Sequence, residues 1–135
     1  MTQLQRIEIG DFLLIAESHV GVRAEALARS DRVLPLAEAA LAAPFAGFGD
    51  FEAYPAFEQK AAIYLSRIIK YHPLPDGNKR TAYDVMREFV DRNGWVFLHE
   101  DGDILRTAKV IEEVAAGEMD EAALTTWMKH RLRRP

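Results

Sequence analysis

His72-Pro73-Leu74-Pro75-Asp76-Gly77-Asn78-Lys79-Arg80 is the stretch on which the reading of this 135-residue chain turns. A residue that precedes a proline avoids the α region, and two prolines lie within four positions, so no helix continues through it. On its N-terminal side, Ala61, Leu65, Ile68 and Ile69 repeat at helical spacing and predict a helix from Ala56 to about Lys70. On its C-terminal side the helical period returns at Asn78, with Ala82, Val85, Met86, Phe89 and Val90 on one stripe, and stops at Asn93-Gly94. The stretch is therefore a short connection between two long amphipathic helices.

Further out the pattern stays helical. Asp11 is placed to cap a first helix carrying Phe12, Ile15, Ala16 and His19, which Gly21 ends. A second helix is predicted over about Asp31 to Ala42, with Leu34, Ala37 and Leu41 inward and Pro35 tolerable in the first turn. From Pro44 to Pro55 the period is lost among Gly47, Gly49 and Asp50, and Phe45, Phe48, Phe51 and Tyr54 mark an ordered loop, either packed on the core or serving as a docking ledge. Trp95 to Leu98 is a short extended piece, and His99 to Asp103 a polar turn. Ile104, Ala108, Ile111 and Ala115 predict the inward face of a helix stopped by Gly117. Asp120 caps a last helix with Leu124, Trp127, Met128 and Leu132. The expected fold class is all-α, a bundle of about six helices spanning residues 1–135 as a single domain.

Composition removes several classes of function. The absence of cysteine excludes disulfide scaffolds, thiolate metal sites and cysteine nucleophiles. No apolar run reaches the ~18–20 residues that span a bilayer, and the N-terminus shows no apolar leader segment, so a reducing, cytoplasmic setting is expected. A net charge of −4 argues against sequence-independent nucleic-acid binding. The basic group Lys129, His130, Arg131, Arg133 and Arg134 reads as a solvated helix end that complements the helix dipole, rather than as a nucleic-acid tail.

The connection itself carries the chemistry. A glycine just before a helix start lets backbone N–H groups converge on one point, where the dipole adds partial positive charge. Lys79 and Arg80 place two cations in that first turn, each unfavourable there by roughly 0.3–1 kcal/mol. An anion, most simply a polyphosphate, would relieve the conflict. Asp76 offers a hard oxygen ligand suited to Mg²⁺, and His72 is the group able to take a proton near neutral pH. Other readings stand beside this one. Asp76-Gly77 is also a hairpin-turn signal, although its flanks are helical rather than alternating. His72 can be a polar loop residue, Lys79 and Arg80 can be solvated, and His72 with Asp76 would make an incomplete metal site.

His72-Pro-Leu-Pro-Asp-Gly-Asn-Lys-Arg-Thr-Ala82 resembles the signature of the Fic/Doc superfamily, in particular its Doc (death-on-curing) branch, whose pattern is H-x-F-x-D/N-A/G-N-K-R. Leu74 is the departure, standing where the pattern has Phe as an apolar anchor beneath the loop. The resemblance covers about residues 31–95 and is looser at the ends. Fic members continue G-N-G-R-x-x-R and transfer AMP. Here Lys79 replaces the second Gly and Tyr83 stands where the second Arg would be, as in the Doc branch.

The resemblance implies an all-helical toxin of a toxin–antitoxin pair that moves the γ-phosphate of ATP to a protein hydroxyl, on a threonine of elongation factor Tu, and stops translation. His72 would then receive the hydroxyl proton and Asp76 would hold Mg²⁺. Gly77 would shape the loop, and Asn78, Lys79 and Arg80 would grip the phosphates. Lys70 is either a further cation at the site or a solvated helix-end residue. The aromatic loop falls where the superfamily presents its target peptide. No Ser or Thr is followed four residues later by Glu, so the inhibitory S/T-x-x-x-E-G/N pattern of self-restrained Fic enzymes is missing. Restraint would come from an antitoxin whose disordered tail folds over a groove of the toxin. AMP transfer and a non-catalytic nucleotide- or partner-binding module are the alternatives.

Overall fold

A computed structural model describes residues 3–99 and 102–135. Along the chain run α1 (Ile9–Val20), α2 (Ala24–Ala28), α3 (Val33–Ala42), a 3-10 turn (Ala43–Phe45), β1 (Gly47–Phe48), β2 (Phe51–Glu52) and α4 (Phe57–Tyr71). They are followed by α5 (Asn78–Arg92), β3 (Val96–Phe97), α6 (Asp103–Ala115), α7 (Glu121–Arg131) and β4 (Leu132–Arg133). The protein is all-α, with two minimal antiparallel ladders, β1–β2 and β3–β4.

α4 is the axis of the bundle, packed against α3, α5, α6 and α7. Residues 60–66 are buried on every side of that helix, the pattern of a helix enclosed by others rather than one lying on a surface. Its polar members are therefore matched. The Lys60 ammonium donates to the Tyr54 carbonyl and, at 3.2 Å, to Glu52, and it lies over the Phe45 ring. Ser66 donates to Glu121 on α7 at 2.8 Å. Phe89 of α5 meets Phe57 and Tyr64 of α4 with ring centroids 4.7 Å apart in both pairs. The Tyr64 hydroxyl accepts the Ile7 N–H at 3.1 Å, which ties the N-terminal segment to the axis.

Several elements differ from the expectation. Among the described residues there are seven α-helices rather than about six. The addition is α2, a five-residue turn too short to show a period. Asp11 does not cap α1. Glu8 occupies the cap position, and Asp11, three residues on, accepts the Glu8 N–H at 2.9 Å and pairs with Arg92 at 3.0 Å. Part of the expected aromatic loop is the β1–β2 hairpin. Phe45 packs edge-on against Tyr64 and Phe89, whereas Phe48 and Phe51, at the hairpin tip, are 80% and 58% exposed. Leu132 leaves the last helix to pair in β4 with Phe97, so the extended piece after α5 finds its partner at the far end of the chain. The polar turn expected over 99–103 lies partly outside the described residues.

The largest correction concerns α6. Its buried residues are Asp103, Thr107 and Val110, and Ile104 is 87% exposed. The expected stripe Ile104, Ala108, Ile111 and Ala115 does share one face, but that face borders a cavity. Helical period reports that a face is apolar without reporting what it faces.

Candidate functional site

The site is built where α4 ends and α5 begins. His72 is the C-cap of α4 and takes a left-handed backbone (φ 50°, ψ 56°), the one non-glycine positive φ among the described residues. This conformation is sparsely populated and persists only when neighbours hold it. Here the His72 N–H still reaches the Ile68 carbonyl at 3.1 Å, and Arg32 donates to the His72 carbonyl at 3.0 Å. Two residues on, Leu74 is fully buried and plugs the loop into the core. The apolar anchor expected at this position is therefore present with Leu in place of Phe.

Asn78, 5% exposed, clasps the loop from inside. Its Oδ1 accepts the Leu74 N–H at 2.9 Å, and its Nδ2 donates to the Leu74 carbonyl at 2.9 Å and lies 3.1 Å from His72 Nδ1. Gly77 is the N-cap of α5 at φ 77°, a conformation that suits glycine. A Cβ at this position would also lie 3.2 Å from Val20 Cγ2, because the end of α1 packs against the turn. Beyond Gly77, the N–H groups of Asn78, Lys79 and Arg80 have no intrahelical partner, and no acidic residue occupies the first turn of α5.

The cations differ in their engagement. Lys79 pairs with Glu112 of α6 at 2.9 Å, while Arg80 is exposed and without an ion pair or hydrogen bond among the described residues. Asp76 is exposed, and its Oδ1 accepts the Gly77 N–H at 2.8 Å. Lys70 stands outside the cavity, exposed and 4.0 Å from Glu121.

A cavity of about 1020 Å³ joins these groups. His72 and Asp76–Arg80 form one side, and the α6 face with Glu112 forms the other. His19 from α1, Ile69 from α4, Tyr83 and Asp84 from α5, and His99 also line it. His19 Nε2 lies 2.5 Å from Asp84 Oδ2. Asp84 is four residues from Arg80 and so shares its helix face, a relation visible in the sequence. His19 and Glu112 arrive only through tertiary packing, and no sequence signal marks them as part of the site. The volume lies at the upper end of ligand pockets, which run ~300–1,000 Å³.

The fold and site define an all-helical protein whose cavity is centred on a loop between two core helices, with an open helix N-terminus, a histidine and a carboxylate together. The Fic/DOC family model matches residues 5–90, and the chain belongs to that family. It is also 40% identical over 85 residues to a protein named Toxin Doc from Mycolicibacterium smegmatis, an alignment covering 63% of this chain and 65% of the relative. The matched part is thus a little under two thirds of that relative's length. No helix among the described residues is long and apolar enough to cross a membrane.

Proposed function

We propose that this protein is a toxin of a toxin–antitoxin pair that transfers the γ-phosphate of ATP to a Ser or Thr hydroxyl of a cytoplasmic protein, elongation factor Tu being the target the resemblance implies. The observation that carries the reading is the open start of α5, where three unpartnered N–H groups, Lys79 and Arg80 converge within one cavity with His72 and Asp76. The similarity to a protein named Toxin Doc supports the toxin role and with it an antitoxin partner.

In this reading the phosphate chain lies against the α5 N-terminus, held by the N–H groups from Asn78 to Arg80 and by the two cations. Asp76 fits Mg²⁺. Its carboxylate is exposed and pairs with no cation, and no cluster of three potential ligand side chains occurs among the described residues. That single hard ligand suits an ion otherwise coordinated by phosphate oxygens and water. Mg²⁺ bound there would neutralise developing charge on the phosphates. The target oxygen forms its bond to the γ-phosphorus while the bond from that phosphorus to the bridging oxygen breaks, releasing ADP. The hydroxyl proton passes to His72. The remaining work of the protein is positioning and electrostatic stabilisation. By the resemblance to the Doc branch, Lys79 in place of Gly and Tyr83 in place of Arg support γ-phosphate transfer over AMP transfer.

Incubation with a bacterial lysate and either γ- or α-labelled ATP tests the reading. γ-label on a protein target is the expected result. α-label would replace it with AMP transfer, and label from neither would leave a binding module.

A further inference from the structure

Asn78 borders the cavity, but its buried side chain is engaged within the loop, and the pattern of its bonds fixes its orientation. Its Oδ1 faces the Leu74 N–H and its Nδ2 faces the Leu74 carbonyl. Exchanging the two atoms would set donor against donor and acceptor against acceptor at buried Leu74, where unsatisfied polar groups are costly. The second hydrogen on Nδ2 then points at His72 Nδ1, 3.1 Å away. A nitrogen that accepts a hydrogen bond carries no proton, so the neutral ring bears its hydrogen on Nε2.

We propose that the Asn78 carboxamide is a positioning residue for His72 rather than a phosphate ligand: it orients the ring and assigns the Nε2–H tautomer, leaving phosphate contact at this position to the backbone N–H. Nε2 has no partner among the described residues, and His72 borders the cavity, so the resting site offers a hydrogen-bond donor there to an acceptor such as a phosphate oxygen. For Nε2 to take up a hydroxyl proton, the ring must first carry its hydrogen on Nδ1. Asn78 must then turn Oδ1 towards it and give up both bonds to Leu74. The catalytic consequence rests on the proposed kinase reading, but the tautomer assignment does not.

Long-range ¹H–¹⁵N correlation spectra of the full chain, labelled at histidine and recorded where His72 is neutral, read the tautomer directly. In the unaltered protein Nδ1 is expected to be unprotonated and Nε2 protonated. Asn78→Asp keeps an acceptor for the Leu74 N–H but turns an acceptor towards the ring, and is expected to invert the assignment. Asn78→Ala is expected to return it to the ratio of free histidine. A ratio in the unaltered protein equal to that of free histidine, or an unchanged tautomer in Asn78→Asp, would overturn the proposal. Should the Ala variant fail to fold by circular dichroism, Asn78→Asp carries the test. In kinetics, Asn78→Ala leaves the ring unoriented and is expected to lower kcat by about tenfold or more while tripolyphosphate affinity stays within about threefold. A loss of tripolyphosphate affinity of about tenfold with kcat preserved would make the side chain a phosphate ligand instead. An unaltered protein that transfers no phosphate would sink the kinase reading and leave the spectroscopic result standing.

Discussion

At the scale of single residues, His72 and Gly77 hold two positive-φ positions on either side of one short loop, and their substitutions should fail for different reasons. His72 is exposed at its ring and held by its backbone, so His72→Ala should abolish growth arrest while leaving the circular dichroism spectrum unchanged. Arrest that persists would remove it from proton transfer. Asp76→Ala removes an exposed side chain whose bond within the protein is to the Gly77 N–H. Calorimetry with and without Mg²⁺ should show ATP affinity losing most of its metal dependence, and unchanged behaviour would take Asp76 out of the metal role. Gly77→Ala acts on the fold. It puts a side chain at φ 77° and a Cβ 3.2 Å from Val20 Cγ2. The expected cost is about 1–2 kcal/mol of unfolding free energy, measured by denaturant titration. A cost near zero would show that α1 yields freely at this contact.

At the scale of elements, α6 is the wall that the sequence pattern turned the wrong way. It faces the cavity with an apolar stripe and brings Glu112 to Lys79. Both partners are about half exposed or more, so the pair is worth no more than ~1 kcal/mol and is screened by salt. Glu112→Gln should free Lys79 and raise tripolyphosphate affinity by up to about fivefold at low ionic strength, with the gain shrinking as salt is added. Weaker binding in the variant would mean that Glu112 orients Lys79 for the ligand instead of competing with it. The β1–β2 hairpin is legible in the sequence only as an aromatic-rich break. Four aromatic residues within ten positions do not say that Phe45 is the one packed on the core. That choice follows from buried Lys60, which holds the Tyr54 carbonyl and Glu52 near the hairpin base and leaves Phe48 and Phe51 at the exposed tip.

At the scale of the whole molecule, two ion pairs join distant parts of the chain, Asp11–Arg92 between α1 and α5, and Glu121–Arg67 between α7 and α4. Hydrogen bonding to the partner guanidinium holds both carboxyls below their ordinary values of 3.8 and 4.5. A depressed carboxyl contributes stability that is fully present above its unfolded value and is lost as pH falls through the lower folded one. Thermal stability should therefore be flat with respect to these groups above about pH 5 and fall below about pH 4. Glu121→Gln should flatten that acid limb relative to the unaltered protein. Equal acid slopes would remove this pair from the pH dependence.

The helices flanking the site were legible because the strong periods of α4 and α5 coincide with real burial, and because paired prolines forbid a continuous helix between them. The residue types at their junction were legible for a related reason: cations at a helix start conflict with the dipole, and the conflict marks a place where something other than helix stability is served. α2 and the cap at Glu8 were not legible, since five residues show no period and Glu is not among the residues preferred at an N-cap.

From sequence alone came the all-α class, the position of the loop, and the roles open to His72, Asp76, Gly77, Lys79 and Arg80. Those properties are local, set by backbone restriction, helical period and side-chain chemistry within a few residues. Tertiary structure alone decided that α6 faces the cavity, that His19 and Glu112 join it, that Leu132 pairs with Phe97, and that the Asn78 side chain turns inward to His72. The first three depend on which surfaces meet across the bundle and the last on how the loop closes around buried Leu74, and a periodic pattern records that a face is apolar or a group polar without recording its partner.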